Sequence, residues 1–259
     1  MDMAPDIHLH PDRPALDPRP LEKRVGLIIL ATDHTTEPDY RRMVASERIG
    51  VYVARVAYAN PTTPQNLRKM QPALTEAAAL ILPDEKLDAI CYSCTSASVV
   101  IGDLEIEAAI QAAKPGVAVV TPPMAAMQGL RTLGAKTISV LTPYTVETSQ
   151  PMADYFVRHG FNIASFTCLG FDDDREMARI APSALVDLAR QAMHADAEAL
   201  FVSCTALRSA LAAVAIEEAI GRPVVTSNQA SAWNCLRLCG DDTPHPEWGR
   251  LMTSPLPRG

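Results

Sequence analysis

No run of apolar residues in this 259-residue chain approaches the roughly 20 that a membrane-spanning helix needs, which excludes a helical membrane protein. Positive charge is in deficit. The 23 Lys and Arg stand against 30 Asp and Glu, and the net −7 argues against a nucleic-acid or anionic-membrane partner. Met1 to His8 shows neither the basic stretch nor the apolar core of a signal peptide, so a cytoplasmic protein is expected. Six cysteines are too sparse for a disulfide scaffold and are expected to stay reduced there. There is no Gly-x-Gly-x-x-Gly phosphate loop, and no side-chain cluster with metal-ligand spacing. Neither a cofactor nor a metal is therefore expected.

What is present reads as an ordinary soluble domain, 48% hydrophobic and 20% charged. Five of the 21 prolines fall in the first 20 residues and four in the last 16. Residues 1–23 and 240–259 accordingly read as extended or poorly ordered tails. Between them, short aliphatic runs alternate with longer amphipathic stretches. Strands are expected over 25–30, 51–58, 89–93, 117–121, 137–142, 162–167, 199–203 and 223–226. Helices are expected over 38–49, 64–82, 99–113, 124–133, 146–159, 182–193, 207–220 and 229–238. Near-continuous apolar strands separated by helices define an α/β protein with parallel sheets.

The pattern occurs twice. A shift of 110 residues superimposes Thr32 on Thr142, Thr35 on Thr145, Glu37 on Glu147 and Ser93-Cys94-Thr95 on Ser203-Cys204-Thr205. It gives 17 identities over residues 24–114, against about six or seven expected from background composition. A five-residue deletion in the second copy also aligns Val119-Val120-Thr121 with Val224-Val225-Thr226. A tandem duplication follows. Two pseudo-symmetric lobes are expected, 24–119 with the last helix 229–239 packed back onto it, and 120–228, around a shared cleft.

In open α/β sheets ligands bind beyond the carboxyl ends of the strands, so the residues after each strand should line that cleft. These are Thr32 to Thr36 and Cys94-Thr95-Ser96 from one copy, and Thr142 to Thr145 and Cys204-Thr205-Ala206 from the other. The mirrored thiols, each expected just before a helix, are candidates for activation by the helix N-terminus. Thr32, Thr95, Ser96, Tyr144, Thr145 and Thr205 supply donors for a carboxylate, with Ala206 on the same rim, and His34 is the one core histidine at a strand end. Such a site can move protons at a carbon beside a carboxylate, or add sulfur to an activated alkene.

These residues carry a resemblance to a known family. The segments Gly26 to Glu37, Tyr92 to Ser98, Leu141 to Tyr144, His159 to Phe161, Val202 to Leu207 and Val224 to Ala230 resemble the aspartate/glutamate racemase superfamily. The branch is that of the maleate cis-trans isomerases and arylmalonate decarboxylases. The loop Ala31-Thr-Asp-His-Thr-Thr-Glu37 and the Asn228-Gln-Ala230 segment look most like the ectoine-utilisation EutA proteins. The resemblance implies a cofactor-independent isomerase or racemase with two opposed catalytic cysteines, Cys94 and Cys204. In the maleate isomerases the first would be the nucleophile and the second would handle the proton; in the racemases both act as bases. His34 stands where the maleate isomerases carry asparagine, and Asp33 replaces a small hydroxyl residue. This points from maleate toward an amino acid, such as one derived from ectoine. The expected partner is a small carboxylate substrate, and the expected assembly a homo-oligomer.

Two rivals remain open: a decarboxylase using Cys204 alone, and a non-catalytic small-molecule binding protein. Cys91-x-x-Cys94 reads as neither a redox pair nor half a zinc site, because Cys91 falls inside a strand and no second such motif exists. Cys168, Cys235 and Cys239 read as packing thiols. Asp172-Asp173-Asp174 reads as a helix N-cap rather than a cation site.

Overall fold

The computed structural model describes residues 7–256, so the outermost six and three residues of the expected tails lie outside it. Strand β1 (Lys23–Leu30), α1 (Thr36–Met43), β2 (Ile49–Val56), α2 (Pro64–Arg68), α3 (Leu74–Leu80) and β3 (Ala89–Tyr92) open the first half. It continues with α4 (Thr95–Ile101), α5 (Asp103–Ala113), β4 (Ala118–Val120) and α6 (Pro122–Thr132). The second half runs through β5 (Thr137–Tyr144), α7 (Val146–Arg158), β6 (Asn162–Phe171), α8 (Asp174–Met177), α9 (Pro182–Ala192) and β7 (Ala199–Val202). It ends with α10 (Ala213–Ile220), β8 (Val224–Thr226) and α11 (Ser227–Leu238).

The strands form two four-stranded, all-parallel sheets of identical topology, β2-β1-β3-β4 and β6-β5-β7-β8. Their central members are buried almost throughout, because helices cover both faces. The duplication is thus visible as two α/β lobes. Its register differs from a uniform shift. Ser93 N–H donates to the carbonyl of Ile28, and Ser203 N–H to that of Leu141, so β1 and β5 correspond at a spacing of 113. The helix N-caps Thr35 and Thr145 correspond at 110. The difference is three extra residues between corresponding points of β1 and α1, β5 itself running one residue further than β1, and the expected equivalence of Thr32 with Thr142 does not hold. The deletion before β8 is where it was expected, since Cys91 pairs with Val120 as Phe201 pairs with Val225.

The last helix of each half crosses to the other. Helix α6 follows β4 yet reaches β8, whereas α11 follows β8 yet lies against α1, β3 and β4. The two also pack on one another. Asn234 of α11 donates to Gln128 of α6 across this crossing, and the neighbouring Trp233 is fully buried.

Several expectations need correction. The long helix expected over 99–113 is two helices, broken at Gly102, whose φ of +109° is one an L side chain rarely adopts. The stretch after Cys204 is a turn leading to a 3₁₀ segment at Ala210–Ala212, not a helix start. Residues 7–22 form no helix or strand and are largely exposed, but the C-terminal stretch is docked rather than loose. Leu251 and Met252 are fully buried there. The buried Arg237 guanidinium donates to the carbonyls of Asp241, Met252 and Ser254, at 2.6, 2.8 and 3.0 Å.

Candidate active site

The two lobes bring the carboxyl ends of β3 and β7 together, and with them both expected sulfurs. Cys94 is the N-cap of α4 and is 4% exposed; Cys204 follows β7 and is 3% exposed. Cys204 has a φ of +102°, a conformation that costs a non-glycine residue roughly 1–3 kcal/mol and is held only where neighbours over-determine it. One such neighbour is Ser227, whose hydroxyl oxygen accepts from Cys204 N–H at 3.0 Å. The same oxygen accepts from the Thr95 hydroxyl at 2.8 Å. Ser227, the first residue of α11, therefore ties the residue after one sulfur to the backbone of the other.

Cys94 senses the charge of Cys204, and the Tyr144 phenol senses both. Burial pushes the Cys94 thiol up to about 12, against the Ala97 N–H and the Ser96 hydroxyl 3.8 Å away, while the charge of Cys204 adds to the rise. Burial likewise pushes Cys204 up to about 11, opposed by the Tyr144 hydroxyl and the N–H groups of Ala206 and Leu207. Tyr144 is itself buried near Cys204 and Ser96, and its ionisation is pushed far above the ordinary phenol range by desolvation. The expected acidification at helix starts is thus reversed. Helix α4 has only seven residues, Cys204 precedes a turn, and desolvation outweighs the few N–H groups aimed at either sulfur.

The other expected residues divide into two groups. Ser96 and Tyr144 face the thiols. The hydroxyls of Thr32, Thr95, Thr145 and Thr205 each donate to a protein acceptor, respectively Asp174, Ser227, Thr148 and the Ser93 carbonyl. A hydroxyl has one proton, so these four are not free to donate to a ligand carboxylate. The Ala206 carbonyl accepts from Thr35 at 2.7 Å, closing one lobe's loop over the other's. His34 does not join the group: it is exposed and lines a surface groove with Pro38, Arg41, Arg42 and Arg55. The neighbouring Asp33 is buried and accepts from the N–H groups of Thr35 and Thr36, both at 2.8 Å, so it braces the start of α1.

Four residues missed in the sequence complete the surroundings: Ser227, Tyr58, Asn60 and Asp174. Tyr58 and Asn60 lie in the loop after β2, Asp174 at the start of α8 in the other lobe. Asn60 donates to Asp174 at 3.0 Å, and Tyr58 contacts Thr62 at 2.6 Å. The charge of Asp174 is felt at Cys94, Cys204 and Tyr58. The Asp172–Asp174 run does cap α8, through Asp173, whose carboxylate accepts from Arg175 N–H at 2.9 Å. No local pattern singles out Asp174, because its partners lie more than 110 residues away in the other lobe. A groove of about 700 Å³ beside α4 and α7 touches neither sulfur.

The two-lobed fold is known from solved structures. The maleate isomerase of Pseudomonas putida S16, solved with maleate, superimposes with a TM-score of 0.80 at 23% identity, covering 89% of this chain and 97% of that one. A mutant of the Nocardia farcinica maleate cis-trans isomerase with a covalently bound succinylcysteine intermediate gives 0.82 at 22%, covering 89% and 98%. In sequence, the maleate isomerase of Geobacillus stearothermophilus is 24% identical over 245 residues, 89% of this chain and 97% of that protein. The arylmalonate decarboxylase of Bordetella bronchiseptica is 30% identical over 140 residues, 53% of this chain and 58% of that protein. The family model described as arylmalonate decarboxylase matches residues 63–252. The chain belongs to this arylmalonate decarboxylase and maleate isomerase family.

Proposed function

We propose that the protein is a cofactor-independent isomerase acting at the carbon beside a carboxylate of a small substrate, with Cys94 and Cys204 as the reacting groups. The observation that carries this reading is the pairing of two buried sulfurs at corresponding strand ends, their backbones tied together through Ser227, with the charge of Cys204 felt at Cys94 and Tyr144 beside them. A single-thiol decarboxylase needs no second sulfur, and a binding protein needs neither.

In a two-base reaction one sulfur, as thiolate, takes the proton from the carbon, and electrons move onto the carboxylate as an enediolate. The thiol on the opposite wall returns a proton to the other face, so turnover leaves the pair with its proton exchanged. The donors still available to the enediolate are the Ser96 and Tyr144 hydroxyls and the backbone N–H groups around each sulfur. In the alternative chemistry of the same site, Cys94 adds to a double bond, rotation follows, and the adduct collapses at the same sulfur.

Proton NMR in D₂O, with amino acids, N-acetylated diamino acids and maleate as probes, tests the reading. Deuterium entry at the α-carbon reports racemisation, and fumarate reports cis-trans isomerisation. Cys94→Ser and Cys204→Ser should each lower turnover by at least about 100-fold, the usual scale for removing a positioned proton-transfer group. Full activity in either variant would sink the paired-thiol reading.

A further inference from the structure

Asp174 is 6% exposed, and its carboxylate is held by neutral groups only, the Thr32 hydroxyl and the Asn60 amide. Among the described residues no basic side chain lies within ion-pair distance of it. The nearest in sequence, Arg175, is exposed and gives its guanidinium to Asp173. A carboxylate accepts about four hydrogen bonds, so the two it receives leave room for more. Buried charges are ordinarily paired, and leaving one unpaired is costly. This one also lies at the carboxyl ends of the strands, just after β6 and bonded to the loops after β1 and β2, the end that carries both sulfurs.

We infer that Asp174, steadied by Thr32 and Asn60, receives the protonated amine of the substrate, so that the substrate class is an amino-carboxylate rather than a diacid. This deepens the isomerase reading and rests on it. An ammonium group would complete the carboxylate's hydrogen bonds and cancel a charge that opposes thiolate formation at both sulfurs. Substrate binding would then favour the very ionisation that burial resists. A dianion such as maleate meets the reverse situation, with its second carboxylate brought toward an existing negative charge. Discrimination by charge of this kind needs no change in the sulfurs or in Tyr144.

Titration calorimetry and deuterium exchange with the wild-type protein give the first test, using aspartate, 2,4-diaminobutyrate and its N-acetyl derivatives beside succinate and maleate. At least one amino acid should bind and exchange its α-proton, with the diacids at least about 30-fold weaker, the scale of a buried charge pair. Asp174→Asn keeps shape and hydrogen bonds but removes the charge. It should raise KM for the amino acid at least about 30-fold, change kcat less, and tighten the diacids. Diacids binding as well as amino acids in the wild type would overturn the assignment, and that comparison decides even if the variant does not fold. So would an unchanged KM in a folded variant. If Asp174→Asn is silent while Cys94→Ser is inactive, the amine assignment fails and the isomerase reading stands. A fully active Cys94→Ser defeats the isomerase reading itself.

Discussion

A thiol at a helix start is ordinarily acidified by the N–H groups around it, yet Cys94 and Cys204 are held the other way, at about 12 and about 11. Raised values favour the protonated sulfur, so near neutral pH the site holds two thiols. Activity that needs one thiolate must then climb as pH rises. We expect kcat/KM to increase about tenfold per pH unit from pH 7 toward 9, as the profile reports the free enzyme's proton-transfer groups. A plateau by pH 8 would mean that a sulfur is far more acidic than its burial dictates. The positions of these two residues were legible in the sequence, because the mirrored tripeptide and the strand ends fix them locally. Their proton affinity was not, since it is set by desolvation from both lobes. His34 was misread for a related reason: a strand end fixes where the backbone goes, not which way a loop side chain turns.

At the scale of elements, all eight strands were legible: the central ones because a strand buried on two faces must be apolar along its length, the half-buried edge strands β2 and β6 from their aliphatic and β-branched residues. Helix boundaries were less so. Amphipathic periodicity runs through Gly102 without a break, although the backbone there turns at positive φ. The C-terminal stretch was misjudged because proline content is a local signal and its anchors are remote. Leu251 lies against Gly129 of α6, the Trp248 carbonyl accepts from Gln229, and Trp233 Nε1 donates to the Ser254 carbonyl at 2.8 Å. Ending the chain after Gly240 should therefore destabilise it by at least about 4 kcal/mol. Two fully buried side chains are worth roughly 1.5–3 kcal/mol each, and Arg237 would lose its carbonyl partners. Urea unfolding monitored by circular dichroism would measure the loss, and a change under about 1 kcal/mol would show the stretch to be dispensable.

The molecule as a whole is held by the exchange of α6 and α11, which gives each sheet a helix from the other half. Two lobes joined by a linker alone would melt separately. Here we expect a single transition in calorimetry, with the calorimetric and van't Hoff enthalpies equal, and two resolved peaks would show that the crossing helices do not couple the lobes. The duplication is nevertheless unequal where it meets the ligand. Five residues, 31–35, connect β1 to α1, whereas Thr145 alone connects β5 to α7. The two walls of the cleft are therefore not mirror images, although the sulfurs they carry correspond. For a racemase this has a kinetic price that thermodynamics fixes in advance. Mirror-image substrates have an equilibrium constant of unity in water, so the Haldane relation makes kcat/KM identical for the two enantiomers. Unequal walls can then give the enantiomers different KM values only if kcat differs in the same proportion, the better-held form always turning over more slowly.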